Sequence, residues 1–365
     1  MDLHAEVELG RICRNLESVR ARTGVRVLLM VKADAYGHGM REVARAAEPY
    51  ADFFGVATVG EGEALRADGR TLPVLAAVCP AEELARAAAC GLTAAVADGE
   101  TLRALADMPA AARPPFHVKF DTGMHRLGFP AEDVGEVLGF LRSRGLKPDG
   151  VYSHFREPDE EQSCVFRGIA GAFRAEYPAV TAHMASSSSL GMKDSAYDMV
   201  RIGHAAYLGA MTVKSRVIAV RQAKAGDCVG YGRHVLPRDT SLAVVFGGYF
   251  DGVYRESPSP VLIGDTLCPA VGSVCMDMFA VDTGDAEVRV GDEAVLLGGA
   301  LTAEKVAAAR GTTDYEVMTC WQGRVKRCYV DERGSEKTGE RRGGENERRG
   351  TGVGVGCDHG RAHFA

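Results

Sequence analysis

The sequence predicts an α/β chain: a (β/α)8 barrel, then an antiparallel β domain, then a disordered C-terminal tail. Three observations predict it. Between residue 24 and about residue 210, short apolar runs alternate with helix-patterned segments. After about Thr212 the helical segments give way to short β-prone runs separated by Gly, Pro and Asp. From about Asp331 apolar residues almost vanish, and charges of both signs mix with glycine. With 365 residues, of which 46% are hydrophobic, the chain is long enough for two domains and a sizeable core.

The elements follow in order. The strand-like LHAEVEL, within residues 1–10, stands apart from the barrel and is free to pair with the β domain. The barrel, residues 11–212, takes its strands from Val25–Val31, Phe53–Ala57, Val74–Ala77, Leu92–Ala97, Phe116–Phe120, Gly150–Ser153, Ala179–Met184 and Met199–Ile202. Segments such as MREVARAAE, AEELARAAA and DVGEVLGFLRSRG lie between them, with apolar residues three and four apart. Alternating strands and helices imply a parallel sheet, closed as a barrel or, alternatively, doubly wound. The last two units are weakly punctuated. In the β domain, residues 213–330, SRVIAVRQA, LAVVFGGYFDG, PVLIGDTLC and DEAVLLGGA read as strands. One helix, Thr302–Arg310, has a Thr cap and a following Gly311. Residues 331–365 cannot bury a core and read as an inert extension.

Composition excludes several classes. The formal net charge is -6 with no large basic block before the tail, so no nucleic-acid partner is expected. No apolar stretch is long enough to span a membrane, and MDLHAEVELGR does not resemble a signal peptide. The ten cysteines include no Cys-x-x-Cys pair, which suits reduced thiols in a cytoplasmic protein and argues against a metal site.

Lys32 directly follows a buried-strand pattern. It is therefore expected at the strand's C-terminal end, where barrel enzymes place their chemistry. Partial desolvation there lowers an amine's pKa and frees it as a nucleophile, although position alone also suits a solvated lysine opening a loop. Arg126 alone suits a surface ion pair, His154 packing, and the four serines Ser186–Ser189 a cap or loop.

Several motifs, in order, narrow these readings. Val31-Lys32-Ala33-Asp34-Ala35-Tyr36-Gly37-His38-Gly39 resembles the pyridoxal-phosphate signature of alanine racemases, with Asp34 in place of the usual Asn. The resemblance implies that Lys32 bonds the cofactor covalently and that Tyr36 contacts its phosphate. Lys119-Phe120-Asp121-Thr122-Gly123-Met124-His125-Arg126-Leu127-Gly128 is similar to the family's KxDTGMxRLG. It implies that Arg126 holds the substrate carboxylate and the cofactor phenolic oxygen, with Lys119 as a carbamate positioning that arginine. Tyr152-Ser153-His154-Phe155 implies a histidine, His154, near the cofactor ring. His183-Met184-Ala185-Ser186-Ser187 resembles HxANS and implies phosphate binding by Ser187, with Ser186 replacing Asn. Val200-Arg201-Ile202-Gly203 implies Arg201 at the pyridine nitrogen, with Gly203 and the His204 amide at the phosphate.

The β domain continues the series. Val229-Gly230-Tyr231-Gly232 implies Tyr231 as a second base, Gly248-Tyr249-Phe250-Asp251-Gly252 a supporting Tyr249, and Val274-Cys275-Met276-Asp277 a Met276 amide on the substrate carboxylate with Asp277 in support. Tyr315-Glu316-Val317, with Arg324 and Arg327, implies a phosphate contact for Tyr315. The resemblance spans Leu3 to about Tyr329. It implies a pyridoxal-phosphate racemase of a small amino acid, alanine first, working as a homodimer whose active sites combine Lys32 of one subunit with Tyr231 of the other. Serine or another short side chain remains open as substrate. A barrel decarboxylase and a non-enzymatic pyridoxal-phosphate carrier are the rivals. The first is opposed by VKADAYGHG, DTGMxRLG and VCMD, the second by residues 213–330.

Overall fold

A computed structural model describes residues 2–330 apart from Lys193 and Ser257; the expected disordered tail, 331–365, lies outside the described residues. Strand β1 (His4–Glu8) is followed by helix α1 (Leu9–Thr23). Eight parallel strands come next: β2 (Arg26–Met30), β3 (Phe53–Val56), β4 (Val74–Ala76), β5 (Thr93–Val96), β6 (Phe116–Asp121), β7 (Gly150–Tyr152), β8 (Thr181–His183) and β9 (Met199–Ile202). They lie in the order β9-β2-β3-β4-β5-β6-β7-β8. The ends approach each other, with Asp198 N donating to Ala182 O (3.1 Å) and Arg201 N to Ala185 O (2.9 Å). The sheet is thus a nearly closed barrel, not a doubly wound sheet.

Strand pleating sorts the side chains. Val27, Leu29, Val118, Phe120, Val151, Ala182 and Val200 pack outward against the helices in one large core. Leu28, Leu75, Ala95, Tyr152 and Met199 form a second cluster inside the barrel. The same alternation puts His117, Lys119, His183 and Arg201 inside, and all four are buried. An interior with this much polar chemistry needs internal partners, because unpaired buried polar groups are costly.

The weak punctuation of the last two units has a structural counterpart. Among the described residues, the helical structure between β8 and β9 is a 3-10 turn, Ser187–Ser189, and β9 is followed by the single-turn helix His204–Tyr207. Helix α1 packs there instead, with Asn15 Nδ2 donating to the carbonyls of Ala206 (2.9 Å) and Leu208 (3.1 Å).

The second sheet runs through Val261–Ile263, Glu293–Leu297, Met211–Ala223, Thr240–Phe246 and Met278–Gly284, each antiparallel to its neighbour. β1 lies antiparallel to Met211–Ala223 and parallel to Lys326–Val330, so this domain carries one parallel pair. A separate core fills it, around Val245, Phe279, Leu296 and Trp321. The Ala303–Arg310 helix has Thr302 accepting from Lys305 N and Gly311 in the left-handed region at its end.

Candidate active site

Lys32 follows β2 and begins an unusual turn. Ala33, Asp34, Ala35 and Tyr36 all have φ of 53–54°, the left-handed region that L residues rarely occupy in succession. Several contacts hold the turn. The Glu61 carboxylate, itself part of a capping box with Thr58, accepts from Ala33 N at 2.8 Å. Asp34 Oδ1 accepts from Met40 N at 2.8 Å, so the Asp in place of Asn serves as a backbone acceptor. Gly37 has φ of +81°, and a Cβ there would meet the Met318 carbonyl at 2.5 Å. The turn aims Lys32 and Tyr36 into a cavity of about 550 Å³ at the barrel mouth.

Ten of the residues singled out from sequence line this cavity: Lys32, Tyr36, Lys119, Arg126, His154, Ser187, Arg201, Gly203, His204 and Tyr315. Tyr36, Ser187, Gly203 and Tyr315 gather at one end. The Ser187 hydroxyl oxygen accepts from Gly203 N (3.3 Å) and Ala205 N (3.1 Å). The Tyr36 ring stacks on Tyr207 at 5.0 Å and lies 6.2 Å from that of Tyr315. Three hydroxyls and backbone amides around a glycine are the kind of donor set that can hold an anion.

Arg201 lines the cavity from the barrel floor. Its terminal nitrogens donate to five neutral acceptors: the carbonyls of Ser153 (2.6 Å), Met184 (2.9 Å) and His183 (3.1 Å), His183 Nδ1 (2.8 Å) and His154 Nδ1 (3.2 Å). None of these bonds uses Nε. Burial lowers this guanidinium to about 10, so it stays protonated at neutral pH. Burial and then Arg201 push His154 down to about 3, so its imidazole is neutral and its Nδ1 can accept.

The two lysines carry shifted amines. Burial, then Arg126, lowers Lys32 from the usual range, against the opposing pull of Glu61. Burial and Arg126 bring Lys119 down to about 8. Its ammonium lies 5.6 Å from the centre of the Tyr152 ring. Arg126 sits on an exposed loop whose backbone is gripped by Asp121, which accepts from the amides of Gly123, Met124 and Arg126. Burial and then Tyr315 raise the Tyr36 phenol to about 12, so it remains a donor.

Tyr231, Tyr249, Met276 and Asp277 do not join the cavity within one chain. Tyr231 is 68% and Met276 51% exposed, both on the β domain. Asp277 accepts from Arg324 Nη1 at 2.8 Å, and Arg324 also pairs with the buried Asp251, so this motif braces the Tyr249–Asp251 turn. Sequence reasoning gave no role to Tyr152, His117, Asp314 or Glu61. Tyr152 ends β7 pointing inward, stacked on His183 at 4.8 Å, with its buried hydroxyl unpartnered. Asp314 bonds His204 Nε2 at 2.5 Å. The Thr58-x-x-Glu61 capping box was readable as a helix start, and its second duty at the Lys32 turn was not.

The family model for the alanine racemase N-terminal domain matches residues 7–210, and that for the alanine racemase C-terminal domain matches residues 210–329. The chain is 36% identical to an alanine racemase of Cutibacterium acnes, over 90% of this chain and 97% of the relative. It is 38% identical to one from Mycobacterium tuberculosis, over 89% and 95% respectively. The structure of alanine racemase from Streptomyces coelicolor aligns with a TM-score of 0.83 at 31% identity, covering 90% of this chain and 98% of that one.

Proposed function

The chain belongs to the alanine racemase family and is an amino acid racemase, and from that premise we propose that it interconverts L- and D-alanine with pyridoxal phosphate, using two bases from two subunits. One observation carries the cofactor reading. The cavity joins an amine of lowered pKa, Lys32, to a cradle of hydroxyls and amides in which Gly203 leaves no room for a Cβ. A cofactor with a reactive aldehyde at one side and a phosphate at the other matches that donor set. Lys32 would bond the aldehyde carbon. Tyr36, Ser187, Tyr315 and the amides of Gly203 and His204 would hold the phosphate. His154 and Arg201 would meet the ring.

Pyridoxal phosphate would supply the electron sink for the α-carbanion. The remaining work falls to the chain's own residues. Arg126 holds the substrate carboxylate through its charged planar donors. Lys119, as a carbamate, would turn a cationic neighbour of Arg126 into an anionic one and fix it in place. Arg201, which stays protonated at neutral pH, would donate to the ring nitrogen without surrendering its proton, which would keep the sink weak and favour protonation at Cα. Lys32 Nζ takes or returns the proton on one face of Cα, and the Oη of the partner subunit's Tyr231 does so on the other. The partner subunit's Met276 would offer its amide to the carboxylate.

The dimer is supported by what one chain leaves uncovered. Tyr231, Tyr249, Phe250, Met276 and Met278 stand exposed together in the β domain, with Asp277 among them. Leu127 and Tyr315 stand exposed beside the barrel mouth. Covering one patch with the other in a twofold dimer would bring each Tyr231 to the other chain's cavity. Among the described residues no helix is long and apolar enough to cross a membrane, and a cytoplasmic location is the reading its scattered thiols support. The test is a panel of L- and D-amino acids incubated with the full chain and resolved by chiral chromatography. Alanine should turn over fastest. Preferential turnover of serine would revise the substrate, and carbon dioxide release without inversion would overturn the reaction.

A further inference from the structure

A series of hydrogen bonds runs from Arg201 through the barrel interior, and its proton positions can be assigned one after another. Arg201 can only donate, so His183 Nδ1 must accept at their 2.8 Å contact. A neutral imidazole that accepts at Nδ1 carries its proton on Nε2. That proton faces His117 Nδ1 at 2.9 Å, which must accept in turn. His117 then keeps its own proton on Nε2, and it lines a second cavity at the opposite end of the barrel with Arg26, Thr93 and Asp149. Only this arrangement satisfies both contacts, because a second proton on His183 would set Nδ1–H against a guanidinium N–H.

Two further observations fit a built series. Burial first, then the cations Arg201 and Arg26, push His117 down to about 3 and His183 well below its usual value, so both rings are neutral. Gly150 makes room for His117, since a Cβ at Gly150 would come within 2.6 Å of three atoms of that ring.

We propose that His117 is a positioning residue for racemisation: by accepting from His183 it fixes the tautomer that lets Arg201 donate, and so holds Arg201 at the cofactor ring nitrogen. The proposal rests on the reading of Arg201 given above. Without an acceptor at position 117, His183 can move its proton to Nδ1, oppose Arg201 Nη1 and turn the guanidinium away. The ring nitrogen, no longer met by a donor that keeps its proton, would then be free to take up a proton from water and become a stronger electron sink. More of the substrate would be lost to transamination, in which the Cα proton is returned to the cofactor's aldehyde carbon, the amino nitrogen stays there, and one water breaks the bond from that nitrogen to Cα and supplies the oxygen of the departing pyruvate. That exchange consumes no outside oxidant.

The first measurement is the 15N spectrum of histidine-labelled wild-type protein, with and without added pyridoxal phosphate. His117 and His183 should both be neutral with the proton on Nε2 from pH 6 to 8. A proton on Nδ1 of either ring, or a cationic ring, overturns the proposal. The second compares His117→Leu with His117→Asn, whose carbonyl can still accept. His117→Leu should raise pyruvate released per racemisation turnover by about tenfold or more, and His117→Asn should restore it to within about threefold of wild type. A merely structural role would lower both rates with their ratio unchanged, and that result, or an Asn variant as defective as Leu, overturns the proposal. Should the Leu variant fail to fold, the wild-type spectrum still decides. Wild-type protein that binds no cofactor would instead sink the proposed function, leaving the spectrum to judge the proton series.

Discussion

A methyl group on Gly203 would lie 2.2 Å from the Tyr36 hydroxyl. Tyr36 cannot yield cheaply, because its ring is buried and stacked on Tyr207, whose own hydroxyl is tied to the Met30 carbonyl at 2.8 Å. Gly203→Ala should therefore push the Tyr36 hydroxyl out of the proposed phosphate cradle while leaving the barrel folded. Pyridoxal phosphate should bind about tenfold more weakly or worse, read as loss of the visible cofactor band on dialysis. An alanine variant that binds the cofactor as tightly as wild type would remove this end of the cavity as the phosphate site.

Lys32 offers the amine that a covalent cofactor needs. Wild-type protein should be yellow, and borohydride should fix the cofactor to a peptide containing Lys32. Lys32→Ala should lose that reducible link, because none of the cavity's other groups combines the turn at Ala33–Tyr36 with a lysine at its start. The cavity's second lysine, Lys119, makes the control informative: label retained on Lys119 in the variant would reassign the attachment point.

Lys119 makes a prediction about pH. With its amine brought down to about 8, roughly a fifth is unprotonated at pH 7.4, against far less than one per cent for an ordinary lysine. Only the neutral amine reacts with carbon dioxide. Carbamate occupancy should therefore rise with pH up to about 8 and fall as the medium is acidified toward 6. Labelled bicarbonate and a carbon-13 spectrum would show the adduct, and Lys119→Ala should lose it. Its activity should drop by about tenfold through a loosened Arg126. An unmodified Lys119 in a fully active enzyme refutes the carbamate.

The barrel and most of the cavity were legible because the chemistry-bearing residues sit in contiguous motifs, several of them at a strand's end. Lys32 after β2, His154 after β7 and Arg201 in β9 all arrive at one mouth once the strands lie parallel. The His117–His183 contact was not legible. The two residues are 66 positions apart, and their meeting depends on which face of β6 and β8 turns inward and on the register between strands. FHVKF alone shows a histidine between apolar neighbours, which suits packing equally well. The packing of helix α1 against the single-turn helix after β9 was also hidden, since nothing in its amphipathic pattern says which elements it covers. In the β domain the motifs around Tyr231 and Met276 were readable, but a single chain leaves both residues exposed, so their destination is a question for the assembled protein.

That question has a direct test. If the partner subunit's Tyr231 serves each Lys32, the variants Lys32→Ala and Tyr231→Phe should each racemise poorly as homodimers, for different reasons. A mixed dimer would hold one site with neither base and one site with both. Activity should return on mixing, to as much as about half of wild type per mixed dimer, since one of its two sites is complete. Were Tyr231 to serve the lysine of its own chain, every site in the mixture would lack one base and no activity would return. Deuterium exchange in heavy water adds direction. Tyr231→Phe removes the base from one face of Cα only, so exchange into one enantiomer of alanine should slow far more than into the other. A shared structural defect would slow both alike. Equal slowing together with no recovery on mixing would dismiss Tyr231 as the second base. Unequal slowing without recovery would keep it as a base and place it in the same chain as its lysine.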